Sequence, residues 1–136
     1  MAEKFKLVIL TPYGRYFEGD VDFISVNSEK YSLGILPHHS PLISTLSVCK
    51  LTIRINDKDN YYAIGGGVIN VEKDKTTLIL NSIEKDSEID LNRAQESKKR
   101  AEERLNNPKN GDEIDIARAK LSLLRAINRI NIGSKD

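Results

Sequence analysis

The sequence predicts a small all-β domain, an antiparallel sandwich or flattened barrel, followed by an antiparallel α-helical hairpin. All eight aromatic residues and six of the eight glycines lie before residue 68, and the stretch after residue 84 contains no aromatic side chain. Short apolar runs at strand spacing fill the first part, whereas apolar residues recur every three or four positions in the second. We therefore expect a β-sandwich domain at 1–84 and a helical hairpin at 85–136.

The strands are predicted from brief apolar runs between turn-forming residues. Apolar side chains occupy every second position in 50–55, and the polar cluster 56–60 that follows predicts a hairpin loop. A second turn is predicted at 72–75. The predicted strands are Phe5–Leu10, Val21–Val26, Tyr31–Leu36, Leu51–Ile55 and Thr76–Leu80.

Three consecutive glycines, Gly65 to Gly67, stand between two apolar runs. A phosphate-binding loop needs a helix after the glycines and a Lys-Ser/Thr ending, and here a predicted strand follows instead. We therefore expect the glycines to allow a β-bulge or a close approach of two backbones.

The helices are predicted from apolar spacing and from their end signals. Ser87, three residues before Asp90, offers a cap for the first helix, which should end near Asn106. A run of helix breakers at 106–111 then separates it from the second helix. The positions that recur at three- and four-residue intervals, and so are predicted to face the partner helix, are Leu91, Ala94, Lys98, Ala101 and Leu105 in the first helix, and Ile114, Ala117, Leu121, Leu124, Ile127 and Ile130 in the second.

The first helix offers its partner mainly alanines and two leucines, so the hairpin buries little apolar area. Helices of this length depend on packing for their stability. The hairpin is therefore either a mobile arm that exchanges partners or an element fixed on the β domain, and the pattern leaves both open.

Composition excludes several classes of protein. The 136 residues carry 21 basic and 20 acidic side chains, so a formal net charge of +1 argues against non-specific binding to nucleic acid or to a membrane surface. We expect no transmembrane helix and no secretory signal, and hence a location in the cytoplasm. With Cys49 as the single cysteine and two histidines, we expect neither a disulfide framework nor a metal site.

Two sets of polar residues are candidates for function. His38 and His39 lie in a loop between Pro37 and Pro41, but no nucleophile-elbow motif supports a hydrolase. Arginines recur on the predicted helices, and guanidinium groups suit phosphate oxygens. A solvated face with acidic partners is the alternative. These arginines are Arg93, Arg100 and Arg104 in the first helix, and Arg118, Arg125 and Arg129 in the second.

Four segments of the chain, in order, carry a resemblance to a known family. They are 33–42 (Leu-Gly-Ile-Leu-Pro-His-His-Ser-Pro-Leu), 65–71 (Gly-Gly-Gly-Val-Ile-Asn-Val), 89–94 (Ile-Asp-Leu-Asn-Arg-Ala), and 118–119 with 124–129 (Arg-Ala and Leu-Arg-Ala-Ile-Asn-Arg). Together they resemble the epsilon subunits of rotary proton-translocating ATP synthases, which are called delta in mitochondria.

The resemblance implies a ten-stranded sandwich carrying a helical hairpin, in a non-catalytic rotor subunit that requires no cofactor. It implies binding to the gamma subunit and to the ring of c subunits, and a location on the cytoplasmic face of the cell membrane without insertion into it. The subunit would couple proton-driven rotation to ATP synthesis. It would inhibit ATP hydrolysis when the hairpin extends toward the catalytic alpha/beta head.

The resemblance also implies site residues. Glu29, Ser32 and His39 correspond to contacts with gamma and the c-ring, although Ser32 occupies a place that is often acidic in the family. ATP as a regulatory ligand on the folded hairpin would be bound by Glu84, Ile89, Asp90, Arg93, Ala94, Arg100, Arg125 and Arg129. The alternative is a free-standing nucleotide-sensing or protein-interaction module of the same architecture.

Overall fold

The structure, a computed structural model, describes residues 3–106 and 113–133. The chain divides by its internal contacts into two compact units, Met1–Lys85 and Asp86–Asp136. The described part of the first unit is built from β-strands, and that of the second from a short 3₁₀ turn and two helices. The predicted order, a β domain followed by a helical hairpin, is confirmed.

Eight strands form one continuous sheet in the described part of the first unit. The strand order is β2-β1-β7-β6-β5-β3-β4, and β8 pairs with β6. Every pair is antiparallel except β1 with β7. The strands are β1 (Phe5–Thr11), β2 (Gly14–Val21), β3 (Phe23–Asn27), β4 (Ser32–Ile35), β5 (Leu42–Ile55), β6 (Lys58–Val71), β7 (Lys75–Leu80) and β8 (Ile83–Lys85).

The 14-residue strands β5 and β6 belong to both layers of the sandwich. At one end of this long hairpin, residues 67–71 of β6 pair with β5 on one side and β7 on the other. At the other end, β5 pairs with β3, and residues 62–64 of β6 pair with β8. One layer is therefore β2-β1-β7-β6-β5, and the other is β4-β3-β5-β6-β8.

The expected number of ten strands is not confirmed, because the described residues form eight. The ladder of β5 and β6 lacks only the Ser47–Gly66 pair, between Leu46–Gly67 and Val48–Gly65. Each of these two long strands is therefore a single strand, although it belongs to both layers. The predicted strand Val21–Val26 is also wrong in its bounds, because Asp22 separates β2 from β3.

The core lies between the two layers. Leu7 and Leu78 enter it from the first layer, and Ile24 and Ile53 enter it from the second, all with no more than 1% of their surface exposed. Cys49 is buried beside them, and burial raises the pKa of its thiol. The layers therefore share one apolar cluster, as face-to-face packing of two sheets requires.

The glycine triplet lies where β6 passes between its neighbours. A Cβ atom at Gly67 would stand 2.0 Å from the carbonyl oxygen of Ile79, and one at Gly65 would stand 2.3 Å from the hydroxyl of Ser82. Gly66 and Gly67 also have positive φ values of 90° and 156°. The predicted close approach of backbones is confirmed, and the strand continues where a phosphate loop would begin a helix.

The turn that closes the long hairpin consists of Asn56 and Asp57, shorter than the predicted loop 56–60. Both residues have positive φ, 52° and 64°, as a two-residue hairpin turn requires. The carboxylate of Asp22 stabilises this turn, because its Oδ2 accepts the Asn56 backbone N–H at 2.6 Å. Its Oδ1 accepts a hydrogen bond from Lys4 Nζ at 2.9 Å. Lys4 Nζ also donates to Asn56 Oδ1 at 2.9 Å.

These contacts predict that Asp22→Asn destabilises the protein at neutral pH and not in acid. The hydrogen bond from Lys4 lowers the pKa of Asp22 below its ordinary value, and hydrogen bonds from the backbone of Asn56 and Asp57 lower it further. A carboxylate with a lowered pKa stabilises the folded state above its unfolded pKa of about 3.9, and this contribution is lost as the pH falls through the folded pKa.

Urea unfolding of both proteins at a series of pH values measures this effect. We expect the difference in free energy of unfolding to be present at pH 7 and to shrink toward zero in strong acid. Asp20→Asn, at an exposed site on β2, is the matched control. A difference between the Asp22 variant and the parent that stays constant with pH would contradict the assignment.

The second unit contains a 3₁₀ turn at Asp86–Glu88, helix α1 (Leu91–Asn106) and helix α2 (Glu113–Gly133). A Cβ atom at Gly133 would lie 3.0 Å from Leu91 Cδ2, so the end of α2 lies beside the start of α1 and the helices are antiparallel. The predicted breaker run 106–111 lies outside the described residues except for Asn106, which ends α1 as predicted. Within the described helices, none is long and apolar enough to span a membrane.

The cap of α1 is Asp90, so the prediction of Ser87 is wrong. Asp90 Oδ1 accepts the backbone N–H of Arg93 at 3.1 Å, and its carbonyl accepts the N–H of Ala94 at 2.9 Å. These are the two bonds of an N-cap residue. Ser87 instead lies in the 3₁₀ turn, where its N–H donates to Asp86 Oδ1 at 2.8 Å.

The seam between the helices follows the prediction in α1 and departs from it in α2. Ala94 and Ala101 are buried in α1, and Leu91, Lys98 and Leu105 are half-buried. In α2 the predicted positions Ile114, Ala117, Leu121, Leu124 and Ile127 are exposed, and Ile130 is half-buried. The buried side of α2 is formed by Ala119, Ala126 and Ile132 with the half-buried Ile116, Leu123 and Ile130.

Candidate functional site

A cavity of about 260 Å³ opens between α1 and α2, and arginine side chains dominate its wall. We call it the arginine pocket. From α1 it is lined by Ser97, Arg100, Ala101 and Arg104, and from α2 by Ser122, Arg125 and Arg129. Two helices of one unit therefore bring four guanidinium groups and two hydroxyl groups to a single cavity.

Helix geometry explains why these residues meet. Positions three or four apart lie on the same side of a helix, and Ser97, Arg100 and Arg104 follow this spacing along α1. Ser122, Arg125 and Arg129 repeat it along α2. The two edges face each other because small alanines fill the adjacent seam and let the helices approach closely.

Arg100 of the pocket has an acidic neighbour on its own helix. Arg100 Nη2 lies 3.8 Å from Glu96 Oε2, a long contact between two exposed side chains, which contributes little. The Nε atom of Arg125 is buried and has no hydrogen-bond partner among the residues that the structure describes. A buried donor without a partner is costly.

The structure brings together only part of the predicted ATP site. Arg100, Arg125 and Arg129 line the arginine pocket. Arg104 also lines it, although the family resemblance did not include it, and Ser97 and Ser122 were missed. All three could have been found from the sequence, because they share the three- and four-residue spacing of the predicted arginines.

The remaining predicted ATP residues lie elsewhere. Asp90 caps α1, Arg93 is exposed, and Ala94 is buried in the seam between the helices. Ile89 packs near the end of α2, because its Cγ2 would lie 3.1 Å from a Cβ atom at Gly133. Glu84 belongs to β8 of the first unit, where it pairs with Ala63, and its Oε1 atom is buried.

The predicted partner contacts lie in two segments of the first unit. Glu29 is exposed in the turn of the β3–β4 hairpin, where Ser28 Oγ accepts the backbone N–H of Tyr31 at 3.1 Å. Ser32 opens β4 and is exposed. His39 lies in the loop between β4 and β5, where its Nδ1 donates to the Ser40 carbonyl at 2.7 Å.

The proline-flanked loop carries both histidines of the chain. His38 has a positive φ of 64° and its Nε2 contacts Glu3 Oε2. Within residues 3–106 and 113–133, no group of three or more His, Cys, Asp or Glu side chains could hold a metal ion.

The fold and the site together define a class: a β-sandwich followed by a helical hairpin with a candidate anion pocket between its helices. Two family models match this layout. The model described as ATP synthase, Delta/Epsilon chain, beta-sandwich domain matches residues 4–86. The model described as ATP synthase, Delta/Epsilon chain, long alpha-helix domain matches residues 87–133.

Curated relatives agree. The ATP synthase epsilon chains of Bacillus mycoides (strain KBAB4) and Bacillus thuringiensis (strain Al Hakam) are each 38% identical over 103 residues, which are 76% of this chain and 77% of the relative. The chain therefore belongs to the ATP synthase delta/epsilon family, and the resemblance noted in the sequence is confirmed.

Solved structures share the fold. A chain of the Euglena gracilis mitochondrial ATP synthase, OSCP/F1/c-ring in rotational state 1, matches with a TM-score of 0.81 at 17% identity, over 92% of this chain and 78% of that one. A chain of the Tetrahymena thermophila mitochondrial ATP synthase central stalk and c-ring matches with a TM-score of 0.66 at 15% identity, over 97% and 98%.

Proposed function

We propose that this chain is a non-catalytic rotor subunit of an ATP synthase and that its helical hairpin senses ATP. Its membership of the delta/epsilon family supports the rotor role, in which the subunit couples proton-driven rotation to ATP synthesis. The observation that carries the sensing role is the arginine pocket between α1 and α2. In this role the hairpin inhibits ATP hydrolysis when it extends and releases inhibition when it closes on ATP.

The chemistry of the pocket suits the phosphates of ATP. Guanidinium groups bind phosphate oxygens through paired hydrogen bonds, and hydroxyl groups add donors between them. Hydrogen bonds to charged groups contribute about 1.5 to 3 kcal/mol each. ATP binding therefore favours the state in which both helices contribute arginines.

The composition of the seam supports a hairpin with two states. Its buried residues include four alanines, Ala94, Ala101, Ala119 and Ala126, each of which buries little apolar area. A hairpin held by such a seam lies within a few kcal/mol of an open state, which is the range that a ligand can shift. ATP stabilises the closed state by mass action as its concentration rises above Kd.

The proposed partners follow from the same role. The β-sandwich unit binds gamma and the c-ring, with Glu29, Ser32 and His39 as the candidate contacts. The extended hairpin reaches the catalytic alpha/beta head. The subunit works at the cytoplasmic face of the cell membrane as a peripheral part of the complex. Glu29 and Ser32 are exposed, as such contacts require.

Calorimetric titration of the full chain with ATP tests the sensing role. We expect saturable binding, which Arg125→Ala weakens at least roughly tenfold because the pocket loses a charged donor. Arg118→Ala is the matched control, since Arg118 is exposed on the same helix outside the pocket. Absence of binding up to millimolar ATP, or equal losses in the two variants, would contradict the proposal.

The rotor role is tested separately from the ligand. The chain should co-elute with its own gamma subunit and lower the ATPase rate of the catalytic head. A free-standing module, whether nucleotide-sensing or protein-interaction, would leave both measurements unchanged. Failure of both would favour that alternative.

A further inference from the structure

The last residue of α2, Gly133, lies against the segment that begins the hairpin. A Cβ atom at Gly133 would stand 3.0 Å from Leu91 Cδ2, 3.1 Å from Ile89 Cγ2 and 3.3 Å from Ile89 Cβ. All three distances are shorter than ordinary van der Waals contact. The end of α2 is therefore packed directly on two apolar side chains, with no space left for a side chain of its own.

This lack of space, and not the backbone conformation, explains why position 133 suits glycine. A glycine at the end of a helix commonly forms a left-handed cap with positive φ. Within the described residues, positive φ occurs at three glycines, and Gly133 is not one of them. A residue with a side chain could adopt the helical backbone of this position, and helix propensity would favour it over glycine.

The surface that receives the end of α2 is held in place on both sides. Before it, the backbone N–H of Ile89 donates to the Asp86 carbonyl at 3.4 Å, and after it Asp90 caps α1. Helix α2 also contacts the 3₁₀ turn, and Ile132, its next-to-last residue, is only 4% exposed. The end of α2 therefore docks on a fixed surface at 86–91, and it can do so only while the two helices are closed on each other.

We propose that the contact of Gly133 with Ile89 and Leu91 is a latch that holds the hairpin closed. Its regulatory role rests on the proposed function, in which the closed hairpin binds ATP and the extended one inhibits hydrolysis. Release of the end of α2 from Ile89 and Leu91 is then the step that must precede extension.

The latch lies next to the arginine pocket along α2. Arg129 lines the pocket and precedes Gly133 by four residues, which is about one helical turn. Docking of Gly133 therefore also sets the position of Arg129 relative to α1. A side chain at position 133 displaces the end of α2 and moves Arg129 with it, so the latch and the pocket respond together.

Amide hydrogen exchange of the full chain, followed by mass spectrometry, measures closure of the hairpin without ATP. We expect Gly133→Val to accelerate exchange in α1 and α2 about tenfold, because an overpacked contact favours open states, and to leave the β-strands unchanged. Asn131→Val is the matched control, since Asn131 is exposed in the same turn of α2. Exchange at the parent rate in Gly133→Val, or equal acceleration in the two variants, would overturn the latch.

Leu91→Ala tests whether the contact is direct. It removes Leu91 Cδ2, the atom nearest to an added Cβ at Gly133, so the two substitutions should not act independently. We expect the double variant to exchange at least about threefold more slowly than the product of the two separate effects requires. Independent effects would show that valine disturbs the hairpin elsewhere, and the latch would be rejected.

Measurements with ATP separate the latch from the function on which its role rests. We expect Gly133→Val to weaken ATP binding by up to about tenfold and to strengthen inhibition of ATP hydrolysis in the assembled complex. Faster exchange with unchanged inhibition would support the latch and contradict the proposed inhibitory role. Unchanged exchange would overturn the latch, while ATP binding by the parent chain would still support the sensor.

Discussion

Gly67→Ala is expected to destabilise the β-sandwich unit by at least about 4 kcal/mol, a loss in the exceptional range for a single substitution. The added Cβ would stand 2.0 Å from the Ile79 carbonyl oxygen and 2.9 Å from the Leu80 Cα. Both are backbone atoms of β7, so no side-chain rotation can relieve the overlap. The backbone at Gly67, with φ of 156°, adds strain for any residue with a side chain.

Urea unfolding followed by circular dichroism measures this loss. Gly14→Ala is the matched control, because Gly14 also has a positive φ, 117°, but has no atom within 4 Å of an added Cβ. We expect that control to cost about 1 to 3 kcal/mol, the cost of backbone strain alone. If Gly67→Ala does not fold, the soluble fractions of the two variants after expression at low temperature are compared instead, and we expect the lower fraction for Gly67→Ala. Equal stability of the variants would contradict the close approach of β6 and β7.

Ala126→Leu is expected to open the helical hairpin in part and to weaken ATP binding by up to about tenfold. Ala126 is 1% exposed in the seam of α2, and a larger side chain forces the helices apart. Overpacking of a filled site costs about 1 to 3 kcal/mol. In the proposed function ATP binds the closed state, so the apparent Kd should rise as the closed fraction falls. In the assembled complex we expect stronger inhibition of ATP hydrolysis.

Ala117→Leu separates overpacking from helix propensity. It makes the same change on the same helix at an exposed position. Thermal unfolding of the helical signal and ATP calorimetry should show large changes for Ala126→Leu and small ones for Ala117→Leu. If both variants bind ATP as the parent does, the closed seam does not control the sensor.

The sandwich was predictable from alternation, but its strand lengths were not. Local apolar runs identify β1, β4 and β7 within one or two residues. The predicted strand Leu51–Ile55 is the last part of β5, which begins at Leu42. Alternation is interrupted along β5 because its two halves turn toward the core in different layers. The passage of β5 from one layer to the other depends on the whole sheet, and a short segment of the sequence does not reveal it.

The seam of α2 illustrates a second limit. Two stripes of apolar residues run along this helix at the same three- and four-residue spacing, one through Leu121 and Leu124, the other through Ala119 and Ala126. Periodicity scores them alike. The structure buries the stripe that contains the alanines. The buried residues of α1 are also alanines, and the two helices can approach closely only where both carry small side chains.

The candidate site was predicted in its chemistry and only partly in its membership. Arg100, Arg125 and Arg129 were expected together and do line one pocket. Asp90 was also expected at a ligand; it caps α1 through Oδ1, and its role at a ligand stays a prediction. A motif records which residues recur together, but it does not show which of them also set the start of a helix.

The long β5–β6 hairpin has a mechanical consequence. The same two strands run through both layers. For the layers to slide relative to each other, the covalent backbone must therefore stretch or the hydrogen bonds of the β5–β6 ladder must break. The ladder extends from Leu42–Val71 to Ile55–Lys58, so such a load acts along many bonds at once. The sandwich is therefore stiff against shear, and a torque applied to one layer is transmitted to the other with little elastic loss.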